Sequence, residues 1–304
     1  MKKILSPKGI TCIAAVFIVI LGLVIGSFSD LNISKALAIR EVDGKLVLAN
    51  HPVSSIILND LSYFGETVLF GFASAVIVLN LVRKKSKMTV LDKILSICFF
   101  IGIVGLMAFF AYKSMKIISV TSFGFWHYLM IVLITFVMTF LIWYVAVNLK
   151  PAIIKKSFIP SIFTVITVAA SNIFVEAAKF IWGRIRPRDL VELGSLDNYV
   201  NWYQVSGHTG YDSFPSSHAL QAMLLLLIII WMAELGARRK TKKITTIGIL
   251  CWTALIMFSR VLAGAHFVSD VTAGFAVGFA FIYIAFVMYE RKMGKHLYDD
   301  NRLE

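Results

Sequence analysis

Three groups of basic and histidine residues fall within residues 179–270: Lys179 with Arg184, Arg186 and Pro187; Pro215-Ser216-Ser217-His218; and Ser259-Arg260 with His266 and Asp270. Arginine presents a planar fork that binds phosphate oxygens in pairs. An imidazole can attack phosphorus or pass a proton to a leaving oxygen. A carboxylate beside an imidazole fixes which ring nitrogen carries the proton. Brought together, these groups make a cationic pocket equipped for phosphoryl chemistry. Each stands at the end of an apolar run long enough to cross a bilayer, where charge is costly and marks function.

Each group also has a plainer reading. Lys179, Arg184 and Arg186 repel one another unless an anion sits among them, yet basic side chains also snorkel at helix ends. Snorkelling is the better reading for Arg188; for Lys179 and Arg186 taken alone, both stay open. Pro215-Ser216-Ser217-His218 precedes an apolar run. A helix N-terminus there offers free N–H groups to a phosphate, with His218 in the first turn; an ordinary serine cap would look the same. His266 and Asp270 have helical i, i+4 spacing, which puts them on one face with the carboxylate accepting from one ring nitrogen. Arg260 adds a further clamp.

The elements that must position these residues are membrane helices. The chain of 304 residues is 59% hydrophobic and only 15% charged, with mean hydropathy +0.82. A soluble domain carries about a quarter charged residues. The expected fold is an all-α polytopic membrane helix bundle with eight spans: 10–28, 61–82, 94–112, 127–149, 158–182, 217–235, 245–263 and 270–289. Gly183 and Pro187 stop the fifth, and Pro215 starts the sixth. The stretch 31–60 reads as a mixed outer loop without a usable motif. The net charge of +13 points to basic residues flanking spans, not to a nucleic-acid partner. Of the 30 Lys and Arg residues, twenty fall in one alternate set of loops and eight in the other. The positive-inside rule then puts both termini in the cytoplasm and all three groups on the outer face. The Ser27-Phe28-Ser29 stretch is a poor cleavage site, so the first span reads as a retained helix. Cys12, Cys98 and Cys251 lie in separate apolar runs and read as small buried hydrophobes, with no disulfide framework and no metal spacing.

In order and spacing the three groups resemble the signature of the type 2 phosphatidic acid phosphatase superfamily: Lys-x6-Arg-Pro, Pro-Ser-Gly-His and Ser-Arg-x5-His-x3-Asp. The first and third match at Lys179 through Pro187 and Ser259 through Asp270, while Ser217 stands where the family has glycine. The resemblance implies an integral-membrane lipid phosphatase in which His266 is the nucleophile and forms a phosphohistidine, and Asp270 orients it. His218 is the general acid and base, and Lys179, Arg186, Arg260 and the backbone around Ser216 and Ser217 hold the phosphate. It implies no metal or other cofactor, because the cations supply the electrostatic stabilisation. The implied substrates are polyprenyl diphosphate, phosphatidylglycerophosphate or phosphatidic acid. The implied organisation is a six-helix phosphatase core over 94–304, with 1–93 as an N-terminal two-helix addition.

Ser206-Gly207-His208 is a decoy for the second motif. Val205 precedes it and no apolar run follows, so capping logic favours His218. Glu176, one turn from Lys179, pairs with it in the plainest reading. Glu66 sits within the second span, where a carboxylate is expensive. Trp202 and Tyr203 read as interfacial belt residues, with head-group contact the minority reading. Short loops and the lack of appended domains point to a bacterial protein. A lipid phosphotransferase could use the same pocket. A transporter for an anionic lipid would show internal repeats and broken helices near the midplane, and the sequence has neither.

Overall fold

A computed structural model describes residues 7–49, 51, 53–83, 89–118, 124–294 and 296–298. Lys2, Lys3, Lys84, Lys85, Lys87, Lys295 and Arg302, which enter the loop count, lie outside the described residues. The fold is all-α, with helices α1 (Pro7–Leu37), α2 (Leu58–Val82), α3 (Val90–Ile118), α4 (Phe125–Val147), α5 (Pro151–Trp182), α6 (Pro187–Glu192), α7 (Ser217–Leu224), α8 (Ile228–Glu234), α9 (Arg239–Leu262) and α10 (Val268–Met293). A hairpin, β1 (Ile39–Val42) and β2 (Lys45–Leu48), follows α1. Among the described residues, 8 helical segments are long and apolar enough to cross a membrane, with α7 and α8 joined in one of them.

Three expectations need correction. Helix α1 runs on to Leu37, nine residues past the expected end, because its polar residues Asp30 and Ser34 point inward and are buried. The supposed loop after it contains the hairpin, closed by Asp43-Gly44 with φ of 52° and 71°. Asp-Gly is the pair that a two-residue hairpin turn favours. Cys98 and Cys251 are exposed on α3 and α9 rather than buried. On a helix that faces lipid an outward position is as apolar as an inward one, so an apolar run does not signal burial.

The chain divides into two compact units. One consists of Tyr63–Ala169, Leu224–Ile249 and Ile284–Glu304. Its core packs Val76, Leu79, Ile103, Met107, Ile142 and Trp231, with the Trp231 indole N–H donating to Thr164 Oγ1 at 2.9 Å. Asn80 bridges helices by donating to the Ile154 carbonyl, also at 2.9 Å. Glu66 is buried in this unit.

The other unit, Met1–Ser62, Ala170–Met223 and Leu250–Tyr283, contains every residue of the three motifs. Two small apolar clusters support it. Ile185, Leu190 and Phe267 gather Leu31 and Tyr199, while Ala219, Val261 and Val271 gather Ile33 and Leu37. Helix α5 stops at Gly183, whose φ of +54° is a left-handed conformation that glycine adopts without strain. A Cβ there would lie 1.8 Å from the Gly207 carbonyl oxygen. Gly183→Ala should therefore lower the melting temperature of the detergent-purified protein by several degrees. Gly102→Ala, where a Cβ would meet nothing within 4 Å, should leave it unchanged or raise it.

Candidate active site

The third motif is built around the start of α10. Val268, Ser269 and Asp270 form its first turn. Asp270 Oδ2 reaches back to accept from the Phe267 amide at 2.8 Å, the carboxylate half of a capping box. His266 therefore precedes the helix and does not share a helical face with Asp270. Its Nδ1 is 3.8 Å from Asp270 Oδ2, too far for a hydrogen bond. The acceptor is instead the Ser213 carbonyl oxygen, 2.8 Å from His266 Nδ1. Ser213 links the two groups, since its hydroxyl donates to Asp270 Oδ2 at 2.6 Å.

A carbonyl oxygen can only accept, so Nδ1 carries the proton and Nε2 carries the lone pair. Nε2 is buried and has no hydrogen-bond partner among the described residues. The ring of His218 lies 5.5 Å from that of His266, centroid to centroid, at 66°. The decoy His208 is exposed and stacks on Phe180 at 4.5 Å.

The second motif opens α7. The Ser216 amide donates to the Asp270 carbonyl at 2.9 Å, which ties the start of α7 to the start of α10. The approach is close enough that a Cβ on Gly274 would lie 2.2 Å from the Ser216 carbonyl oxygen. Ser217, in place of the family's glycine, is buried and donates its hydroxyl to Glu176 Oε1 at 3.1 Å.

The cations of the site each hold an oxygen of the protein. Lys179 Nζ meets Glu176 Oε1 at 2.8 Å, the pairing anticipated from their spacing. Arg186 Nη2 meets Asp212 Oδ1 at 2.7 Å, and its buried Nε lacks a partner among the described residues. Arg260 Nη1 donates to Asn59 Oδ1 at 2.6 Å, and its Nη2 donates to the Ser54 carbonyl. His218 Nε2 lies 2.9 Å from the same Asn59 oxygen. Two donors converging on one acceptor put the Nε2 proton on His218.

Arg184 is different. Sequence grouped it with the phosphate cations, but it is fully buried, donating to Asp270 Oδ1 at 2.5 Å and to Asp30 Oδ2 at 3.0 Å. Its guanidinium lies over the Phe267 ring, 4.3 Å from the centroid. Arg188 is partly exposed, with Nε 3.6 Å from Asp189. The Trp202 indole N–H donates to Ser27 Oγ at 2.9 Å, while Tyr203 is exposed.

The charge balance acts on His266. Burial is the main cause that pushes its pKa down to about 4; Arg186 and Lys179 add to the effect and Asp270 opposes it. Burial alone would raise the Asp212 carboxyl, but Arg186 and Lys179 outweigh it and hold that pKa below the usual carboxylate range. Sequence reasoning missed Asp30, Asn59, Asp212 and Ser213. Asn59 and Asp30 are polar residues at the ends of apolar runs, a weak signal; Ser213 and Asp212 gave none.

Part of the chain is similar to known proteins. Residues 161–294 match the family model of the PAP2 superfamily. Over this segment, less than half of the chain, the sequence is similar to that superfamily. It is 28% identical over 125 residues to the lipid A 1-phosphatase of Rhizobium etli, covering 41% of this chain and 48% of the relative. It is 27% identical over 125 residues to the protein of that name from Rhizobium johnstonii, covering 41% and 46%. The phosphatidylglycerophosphatase B of Haemophilus influenzae is 30% identical over 91 residues, 30% of this chain and 37% of the relative. The chain thus spans about half the length, or less, of the curated relatives it matches. No solved structure matches it significantly.

The pKa of His266 can be tested without reference to activity. In an NMR titration of histidine-labelled protein, with the resonance assigned through His266→Gln, the ring should stay neutral from neutral pH down to about pH 5 and titrate near 4. A midpoint close to the ordinary histidine value of about 6.5 would contradict the arrangement.

Proposed function

We propose that this protein is an integral-membrane lipid phosphate phosphatase that hydrolyses a phosphomonoester or diphosphate through a phosphohistidine. The observation that carries the reading is the buried Nε2 of His266, left with a lone pair because Nδ1 donates to the Ser213 carbonyl. The relatives support the lipid class, since two are named for lipid A and one for phosphatidylglycerophosphate.

In the proposed reaction, the phosphate oxygens take over donors now held by protein oxygens: Lys179, Arg186, Arg260 and the Ser217 side of the α7 turn. The negative charge they bring favours the imidazolium form of His218. The His266 Nε2 lone pair forms a bond to phosphorus as the bond from phosphorus to the leaving oxygen breaks. That oxygen takes the Nε2 proton of His218. The now neutral His218 accepts a proton from water, whose oxygen attacks phosphorus. The phosphorus–nitrogen bond breaks, and His266 returns to its Nδ1–H form. Asp270, 3.8 Å from Nδ1, stabilises the positive charge that the ring carries while phosphorylated.

The positive-inside count assigns this chemistry to the outer leaflet, with both termini cytoplasmic. A lipid phosphate there keeps its tail in the bilayer and its head group at the polar rim. Polyprenyl diphosphate, phosphatidylglycerophosphate and phosphatidic acid are the candidate substrates in a bacterial membrane, and recycling of a polyprenyl carrier is the role to examine first.

The test is phosphate release by purified protein in detergent, with a chelator present, from these three lipids. Release from at least one is expected, together with a fall of about three orders of magnitude or more in His266→Ala. Inactivity on every lipid, or strict dependence on a divalent metal, would overturn the proposal.

A further inference from the structure

Helix α1 lies outside the residues that match the family model, yet it delivers a carboxylate into the innermost part of the site. Asp30 is only 1% exposed, and Arg184, Ser269 and Asp270 are wholly buried around it. Asp30 Oδ1 accepts from the Ser269 amide at 3.0 Å, one of the first-turn donors of α10 that lacks a helical partner. Its Oδ2 accepts from the Ser269 hydroxyl and from Arg184 Nη2 at 3.0 Å. Arg184 Nη1 in turn donates to Asp270 Oδ1 at 2.5 Å and to Ser269 Oγ at 2.7 Å.

We propose that Asp30 is a positioning residue of the catalytic centre, acting on His266 through Arg184, Asp270 and Ser213. The inference rests on the phosphatase reading given above. Asp30 fixes one arm of the guanidinium fork, so the other arm meets a single oxygen of Asp270. The second Asp270 oxygen is thereby left to Ser213 and the Phe267 amide, and the Ser213 carbonyl holds the His266 proton. Without Asp30, the Nη2 arm loses its acceptor while Nε keeps the Val200 carbonyl at 3.0 Å. The fork then shifts on Asp270, disturbing the Oδ2 bond to Ser213 and loosening the nucleophile. Asp30 also sets the local charge. Two carboxylates around one guanidinium leave one net negative charge near the ring that must become positive on phosphorylation.

The position of α1 is built for this purpose. Gly22, Gly26 and Asp30 are spaced four apart and so share one face. A Cβ on Gly22 would lie 2.6 Å from Thr272 Oγ1, and one on Gly26 would lie 2.6 Å from Ser269 Cβ. Only glycines let α1 come close enough to α10 for a short carboxylate to reach Ser269 and Arg184. Trp202 pins the same stretch through its bond to Ser27 Oγ at 2.9 Å.

The experiment compares wild type and Asp30→Asn as full-length proteins in detergent, measuring kcat and KM for a lipid phosphate the wild type hydrolyses. Melting temperature and monodispersity report folding. Asn keeps the shape and one acceptor but removes the charge. The expected result is a folded variant with kcat down about tenfold or more and KM changed by less than about threefold. A folded Asp30→Asn with wild-type kcat, or one in which only KM rises, overturns the inference. Should that variant not fold, Asp30→Glu decides. It keeps the charge but displaces the carboxylate by one methylene from Arg184 and Ser269, and a loss in kcat without a change in KM is expected, whereas unchanged kcat overturns the inference. A wild type that releases no phosphate from any lipid would sink the phosphatase reading itself, a separate outcome.

Discussion

The site depends on one buried guanidinium. Arg184 is fully sequestered between the carboxylates of Asp30 and Asp270, and a charge so placed survives only when it is paired and hydrogen-bonded. Removing one partner of such a group costs about 3–5 kcal/mol, a large share of the stability of any small folded unit. The three residues come from α1, from the segment after α5 and from the start of α10. Their pairing fixes how these elements meet, and hence where His266, the proposed nucleophile, stands. The same carboxylate that neutralises Arg184 caps α10 through the Phe267 amide, so helix start, ion pair and histidine position are a single arrangement.

A division of roles follows. His266 is oriented by a neutral carbonyl, which fixes the tautomer without drawing the proton away. Burial and the nearby cations then keep the ring uncharged, with its pKa near 4. The cations that impose this are neutralised by Glu176 and Asp212, while Asn59 bridges Arg260 and His218. An anion that displaces these oxygens changes the field at both histidines. In the proposed reaction it favours the charged form of His218 and a positive phosphorylated ring on His266, while the pocket without it keeps His266 neutral.

Much of this was legible in the sequence, for identifiable reasons. Hydropathy and length suffice for eight spans, because a bilayer imposes about 20 apolar residues on any helix that crosses it. Motif order and the loop count suffice to bring His218 and His266 to one end of the bundle, with Pro215 marking the helix start at which His218 sits. Spacing could not reveal which partner His266 uses. An i, i+4 carboxylate looks like the natural acceptor only if a helix already exists at residue 266, and α10 begins at Val268. The roles of Asp30 and Asn59 were hidden because their partners lie far away in sequence, 239 residues for Asp30 and Ser269 and 201 for Asn59 and Arg260. Arg184 was misread with the phosphate cations because sequence shows its charge and not the carboxylates that surround it.

The central claim, that Nε2 of His266 is the nucleophile, is tested most directly by rapid acid-free quenching during turnover of a lipid phosphate, followed by mass spectrometry of the digested protein. The account expects a phosphoryl group on the peptide containing His266, labile to acid and stable to base, which accumulates in His218→Gln and is absent from His266→Ala. A phosphoryl group on another residue, or efficient turnover in His266→Ala, would contradict it.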